Sequence, residues 1–559
     1  MGSMVLPSQA YEVKLAPHAV PFSVLRFSGF TAISRLYRYE VEFTSPIADI
    51  PIDQVLGRPT RFTTDPIDPN ADYLRKMFGE NVETVSDNPP ALTIHGIATQ
   101  LDQFETSADQ TRYKLVIEPR MADLARGVKS RLFQKQSAQE IFTDTLRHYG
   151  LREGVDFRFE LRAQYKRHEY ITQYHETTMA FIQRIAAAEG IWFRFEHAED
   201  REVIVFGDDL DAYASSPRTV PLRSDTGLES VARDDKTTNA VDSRWGEHYE
   251  TPEEGQRIAQ QRHEAHLSQQ ITFGGKGNVF ALEVGEVLRL DRNPVDAPHD
   301  LFVVSVESSE GRSQAYSNTF SAIPSDRVWR TPLEPGAQPV ISGILPARVT
   351  SLRDYTRAYL TPEGWYVMPL PCDLDACRPG GTSRPERLAR PYSGDDHGHH
   401  FPPIDGAEVA IISTTGSPDR PVIVGTVHDS LHLDLVNNLN HTRKLIRTAA
   451  HNEMHMEDKE GNEHMHLTTP FQTDELNLAH RVDGERKDWG QDADATLRQA
   501  LDLMRSLNDA ATAAKASLAD MEQQRALIEQ KLMSLQKPVI VASAPESVSI
   551  ASIASSQHM

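Results

Sequence analysis

Apolar and polar residues alternate along short segments of residues 5–340, and a period of two is the pattern of a strand with one buried face. Turn-forming residues such as Gly29 separate these segments. We therefore predict that this part of the chain is mainly β. The predicted strands cover Phe22 to Phe27, Tyr37 to Phe43, Ile94 to Ile97, Tyr113 to Ile117, Phe280 to Leu290, Leu301 to Val306 and Tyr316 to Ala322.

Two helices are predicted between these strands. The first follows a capping box, in which Ser137 and Glu140 satisfy the free amides of the first turn. The second runs from about Thr178 to Glu189 and stops at Gly190, since glycine accepts the left-handed conformation of a helix end. Strand segments follow this second helix. Residues 5–340 thus predict β-barrels with inserted helices.

Residues 345–430 predict a small closed barrel of the OB type. Its strands cover Trp365 to Met368, Val409 to Ile412 and Val422 to Val427, and the polar connection from Cys372 to His400 predicts a surface loop. In residues 440–485 short alternating segments surround the turn Lys459–Asn462. An ordinary hairpin and a strand-built needle both fit that alternation.

Residues 490–537 predict a long helix, because apolar residues recur at heptad spacing from Leu497 to Leu535. Such a helix would be about 58 Å long. It could form a three-stranded coiled coil or an arm that docks a partner, and Arg525 on its apolar seam favours the arm. Residues 538–559 return to strand-like alternation, so we expect the β structure to continue beyond this sequence.

Composition narrows the class of protein. The 559 residues exceed the usual size of one hydrophobic core, so several domains are expected. A net charge of -22 argues against nucleic-acid binding, which needs clustered Lys and Arg. Two cysteines cannot staple a chain of this length, so we expect folding in the reducing cytosol.

Several segments resemble the VgrG family of type VI secretion spike proteins. The hub-like matches are Ile94 to Ile97, Thr111 to Pro119, Ser130 to Gln134 and Glu189 to Phe193; the later ones are His400 to Pro403, Gly416 to Gly425 and His451 to Gly461. Each is short, but they follow the order of the family. One departure is Ser417, which stands where the family usually has Asp.

The resemblance implies a phage-hub-like region, an OB-fold collar and the start of a trimeric β-prism needle, sometimes called a β-helix. It implies a homotrimer that caps an Hcp tube, contacts the baseplate and target membrane, and carries a PAAR tip, effectors and adaptors. Such a protein assembles in the cytoplasm and is secreted. It is structural, not an enzyme. The alternatives are a spike with an enzymatic C-terminal extension and a phage-type baseplate hub.

Candidate ligand chemistry is sparse, and we expect no catalytic residue, cofactor or metal. His464 and His466 could place six imidazoles around the axis of a trimer, but the same alternation could leave both in solvent. His397 and His399, near Cys372 and Cys377, could form a zinc site or belong to a solvated loop. The stretch Gly274–Gly277 lacks the spacing of a phosphate-binding loop and predicts a turn.

Overall fold

The computed structural model describes residues 11–15, 22–65, 76–77, 92–213, 217–220, 230–235, 249, 251–291, 300–332, 336–351, 359–370, 385–470, 475–479, 502, 505 and 539–543. The chain divides into two compact units, Met1–Val427 and His428–Met559. None of the helices within these ranges is long and apolar enough to span a membrane.

The described strands of the first unit are, in chain order, β1 Tyr11–Leu15, β2 Ser23–Ala32, β3 Arg38–Ser45, β4 Pro59–Thr64, β5 Leu92–Thr106, β6 Thr111–Glu118, β7 Val128–Phe133, β8 Phe157–Glu160, β9 Ile171–Thr177, β10 Trp192–His197, β11 Glu202–Gly207, β12 Arg218–Val220, β13 Ser230–Asp235, β14 Ile271–Gly277, β15 Val287–Leu290, β16 Leu301–Gly311, β17 Gln314–Pro324, β18 Ile344–Arg348, β19 Ser393–Gly394, β20 His397–Gly398, β21 Glu408–Ser413 and β22 Pro421–Thr426. The α-helices whose bounds lie within the described residues of this unit are α1 Ile52–Val55, α2 Ala138–His148, α3 Thr178–Glu189 and α4 Pro252–Gln270.

A twelve-stranded sheet forms the framework of this unit, with the order β1-β4-β5-β6-β3-β2-β16-β17-β14-β13, and β15 joins it through β16 while β12 pairs with β15. Alternate residues of its strands enter the core, as the period of two predicts. The strand predicted from Phe280 to Leu290 is shorter than expected, because the chain turns through positive φ at Ala281 and Gly285 before β15 begins.

The two predicted helices are present. At α2 the Ser137 hydroxyl accepts from the Glu140 amide, and the Glu140 carboxylate accepts from the Ser137 amide at 2.8 Å. Helix α3 has the predicted bounds, and Gly190 ends it at φ 74°. Both helices share one hydrophobic core with the sheet β10-β11-β8, and Phe142 of α2 stacks on Phe206 of β11 with ring centroids 5.4 Å apart.

Two further features of this unit differ from the sequence predictions. Gly274–Gly277 lies in strand β14, so the turn predicted there is wrong. A Cβ on Gly275 would lie 2.1 Å from the Phe320 ring, so glycine serves close packing at this position. Helix α4 escaped prediction because its contacts are polar: Arg257 pairs with Glu189 at 3.0 Å, for example.

The OB-type region of residues 345–430, called the collar below, contains the sheet β18-β21-β22. The strand predicted at Trp365 to Met368 is reduced to isolated bridges, in which Val367 pairs with Thr350 and Tyr366 with Glu386. Those residues still reach a small core, which consists of Tyr170, Ala347, Val349, Tyr366, Met368, Leu370, Val409, Ile411 and Ile423. Cys372 and Cys377 lie outside the described residues.

The described strands of the second unit form an antiparallel sheet in the order β23-β24-β25-β26-β27. Its strands are β23 Arg443–Arg447, β24 Glu453–Glu457, β25 His464–Thr468, β26 Glu475–Ala479 and β27 Val539–Ser543. Ala479 and Val539 are register partners, so the chain leaves and re-enters the sheet at the same place. Apart from Asp502 and Arg505, the predicted helix 490–537 lies outside the described residues.

Candidate assembly surfaces

One aspartate of the collar reaches into the hub strands of the first unit. The Thr172 amide of β9 donates to the Asp419 carboxylate at 2.6 Å, and the Thr172 hydroxyl donates to the Pro418 carbonyl at 3.4 Å. Burial raises the pKa of Asp419, although the Arg184 guanidinium opposes that effect. Tyr170, two residues before Thr172, packs in the collar core. This contact therefore fixes the segment before the collar strand β22 against β9.

Arg184 supports this junction from helix α3. Its guanidinium pairs with the Glu176 carboxylate at 2.7 Å and donates to the Thr172 carbonyl at 3.0 Å. A buried charge is costly unless it is paired and hydrogen-bonded, and Arg184 has both partners. The departure from the family pattern at Ser417 leaves the Asp419 contact intact, since the Ser417 backbone only closes the local turn with Thr414 and Arg420.

The sheet of the second unit exposes its apolar face. In register, Lys444 and Ile446 of β23 lie beside Met456 and Met454 of β24, which lie beside Met465 and Leu467 of β25. The five apolar side chains of this set are between 36% and 42% exposed. We call this set, Ile446, Met454, Met456, Met465 and Leu467, the methionine face. The apolar side of a sheet is normally covered in a protein that stays alone in water. This exposed face therefore suits contact with another surface.

The opposite face is polar and is closed by its own contacts. Glu457 accepts from Arg443 at 3.0 Å and from the Thr442 hydroxyl, and its carboxylate is almost fully buried. Burial alone would raise the pKa of Glu457, but Thr442 and Arg443 together outweigh burial and hold it below its ordinary value. Glu453 is likewise paired, with Arg447 at 2.5 Å. The charges of this face are thus compensated within one chain.

The structure places the predicted ligand candidates as follows. His464 and His466 lie two residues apart on β25, on the polar face, and His464 approaches His455 instead of His466. His397 and His399 are exposed beside the β19-β20 hairpin, where His397 Nδ1 lies 2.7 Å from the Asp395 carbonyl. Within the described residues no group of three or more His, Cys, Asp or Glu side chains is arranged to hold a metal ion.

Sequence reasoning missed the roles of His455 and Asp419. The turn at Lys459–Asn462 was a usable signal for the first, because a hairpin about that turn brings His455 opposite His466 and diagonal to His464. Asp419 lies in a segment that matches the family, yet nothing local indicates that its carboxylate is buried against β9.

Family profiles match the two parts of the first unit. The profile described as phage tail baseplate hub (GPD) matches residues 31–242 and 225–313, and the type VI secretion system/phage-baseplate injector OB domain matches residues 379–428. Together they match more than half of the chain. The chain belongs to the VgrG family of spike proteins. The expected hub-like fold and the OB collar are therefore confirmed.

The curated VgrG relatives compared with the chain are 24–26% identical to it. The spike protein VgrG4b of Pseudomonas aeruginosa is 25% identical over 83% of this chain and 63% of its own length. The actin cross-linking toxin VgrG1 of Vibrio cholerae is 24% identical over 77% of this chain and 42% of its own length. The chain thus spans less than two thirds of these two VgrG relatives.

A solved protein of a type VI secretion system has the same fold. The E. coli c3393 protein, a component of the type VI secretion system that is described as similar to phage T4 tail proteins gp27 and gp5, is 27% identical. The match covers 74% of this chain and all of that protein, with a TM-score of 0.58.

Proposed function

We propose that this chain is a structural subunit of a homotrimeric spike that a type VI secretion system fires at target cells. The proposal includes its assembly in the cytoplasm on an Hcp tube and baseplate, a PAAR protein at the tip, effectors and adaptors as cargo, and secretion. Membership of the VgrG family and the relatives, which are mainly spike proteins, support this role.

The observation that carries the trimer is the methionine face. Full burial of a methionine or leucine side chain is worth about 1.5–3 kcal/mol, so the roughly two fifths still exposed are worth about 0.6–1.2 kcal/mol each. Five such side chains supply several kcal/mol per chain when copies of the sheet close on one another. Closure of three sheets around one axis also removes exposed sheet edges, which suits a stiff needle.

In this arrangement the methionine face lines the axis and the polar face points outward. Each chain satisfies its own Glu453 and Glu457, so no charge has to be compensated across the axis. Lys444, which lies beside the methionine face in register, pairs with Asp458 within the same chain. Assembly then depends mainly on apolar contact. Rigid β structure, with no reacting atom, is what a puncturing device requires, and we therefore propose that the described residues act mechanically.

A second candidate is a spike that also carries an enzyme. One matched relative is described as an actin cross-linking toxin, and the chain spans only 42% of it. A panel of toxin activities on the longest form of the protein tests this candidate. A phage-type baseplate hub has the same architecture, and the genes beside the coding sequence distinguish it from a secretion spike.

The molar mass in solution tests the trimer. We expect three times 62.7 kDa for the wild-type chain. Met456→Asp places a charge in the middle of the methionine face. We expect it to yield monomers, because a carboxylate resists burial and its register neighbour Lys444 already pairs with Asp458. Met77→Asp is the matched control, since Met77 is exposed and lies in the other unit. A monomeric wild type, or a fully trimeric Met456→Asp, would contradict the proposal.

A further inference from the structure

Two imidazoles on the polar face of the second unit point their outer nitrogens at each other. His455 Nε2 on β24 lies 3.3 Å from His464 Nε2 on β25. The rings meet edge to face, with centroids 5.3 Å apart and an interplanar angle of 75°. The pair forms across the hairpin diagonal, because the direct register partner of His455 is His466. Among the described residues, the other partners of the two rings lie at their inner nitrogens.

Those partners fix the tautomers. His455 Nδ1 lies 2.8 Å from a Glu453 carboxylate oxygen, and His464 Nδ1 lies 2.8 Å from the Asn462 carbonyl oxygen. An ionised carboxylate and a carbonyl only accept hydrogen bonds, so each Nδ1 carries the hydrogen. In the neutral rings each Nε2 atom then presents a lone pair to the other. Because the two atoms are only 3.3 Å apart, the lone pairs repel unless a positive centre lies between them.

A proton and a metal ion are the two centres that could fill this role. The distance fits a metal: two nitrogens at 2.0–2.1 Å from a tetrahedral ion are about 3.3–3.4 Å apart. Imidazoles whose second nitrogen donates to a carboxylate or carbonyl are also the usual form of histidine ligands.

We propose that His455 and His464 form a two-imidazole site for a divalent transition-metal cation of the zinc class, with water in the remaining positions. Imidazole nitrogen suits Zn²⁺, Cu²⁺ and Ni²⁺, whereas Mg²⁺ and Ca²⁺ prefer oxygen. The ion would link β24 to β25 near the turn of their hairpin. Its stabilising effect then grows with free metal concentration relative to the dissociation constant.

The neighbouring side chains support the pair without joining it. The ring of His466 stacks on His455, with centroids 4.9 Å apart and an interplanar angle of 15°. Ring lone pairs lie in the ring plane, so stacked rings cannot converge on one ion. Glu457, opposite His464 in register, is held by Arg443 and Thr442. This site therefore differs from a pairing of His464 with His466.

Zinc titration of the metal-stripped 559-residue chain tests the site. We expect calorimetry to show one Zn²⁺ per chain that His464→Gln removes, and zinc to raise the thermal midpoint of the wild type but not of this variant. His464 is only half-buried, so the substitution is compatible with folding, and circular dichroism checks this. His466→Gln and His441→Gln, the latter an exposed histidine of the same unit, should retain the site.

Binding of Cu²⁺ supplies a second readout, because electron paramagnetic resonance reports the coordinating nitrogens. We expect two imidazole nitrogens in the wild type and in His466→Gln, and fewer in His464→Gln. The proposal is overturned if wild type and His464→Gln bind Zn²⁺ with equal stoichiometry and affinity. It is also overturned if nitrogen NMR shows a proton shared by the two Nε2 atoms that zinc does not displace.

Discussion

Replacement of Asp419 should open the junction between the collar and the hub strands at a single amide. Asp419→Ala removes the acceptor of the Thr172 amide, whose residue is 2% exposed. A buried N–H without a partner costs about 1–3 kcal/mol. Arg184 keeps its pairing with Glu176, so the loss stays local and leaves no uncompensated charge.

Hydrogen exchange measures this loss directly. If Asp419→Ala lowers the free energy of local opening by about 1–3 kcal/mol, the Thr172 amide should exchange roughly 5- to 150-fold faster, since 1.4 kcal/mol is a factor of ten. Mass spectrometry with residue-level fragmentation resolves that amide. Asp419→Asn keeps an oxygen acceptor of the same shape, so we expect it to slow the exchange again, towards the wild-type rate.

Asp405→Ala is the matched control, because Asp405 lies exposed in a turn of the same collar. It should leave exchange at Thr172 unchanged. Unaltered exchange in Asp419→Ala would refute the argument, and would mean that the apolar packing of Tyr170 in the collar core holds the junction by itself.

Two further predictions concern the hub. Gly190→Ala should destabilise the first unit by about 1–2 kcal/mol in urea unfolding, because Gly190 has φ +74° and a Cβ would lie 2.8 Å from Gln261 Nε2. Gly154→Ala is the control for the backbone effect alone, since Gly154 also has a positive φ but has open space around it. Burial, with a smaller effect of Glu286, raises the pKa of Glu283 to about 7. A folded pKa above the unfolded one favours folding below about pH 4.5, and this contribution disappears as pH rises through about 7, so Glu283→Gln should flatten the pH dependence of stability by at most about 3 kcal/mol.

Elements whose ends are marked by characteristic residues nearby in the sequence could be predicted. Helix α3 could be placed because Gly190 closes it, and α2 because Ser137 and Glu140 form a capping box. Such signals are local, so they need no knowledge of the rest of the fold. The same holds for the hairpin about Lys459–Asn462, whose turn residues separate two alternating segments.

Features that depend on distant partners could not be predicted. Helix α4 has few apolar residues, and its Arg257 and Glu264 form ion pairs with Glu189 and Arg330 elsewhere in the chain. Its start was still visible in principle, since Thr251 caps it and Pro252 follows. The glycines of β14 read as a turn because only the fold places the Phe320 ring over Gly275.

The alternation of side chains in the second sheet makes its two proposed roles separable. Met456 points to the methionine face, and its neighbours His455 and Glu457 point to the polar face. A substitution on one face therefore leaves the other face's contacts in place. Met456→Asp should abolish the trimer while zinc binding by His455 and His464 persists, and His464→Gln should abolish zinc binding in an intact trimer. If either variant removed both properties, the two faces would not be independent, and closure of the sheets would depend on the metal as well as on apolar contact.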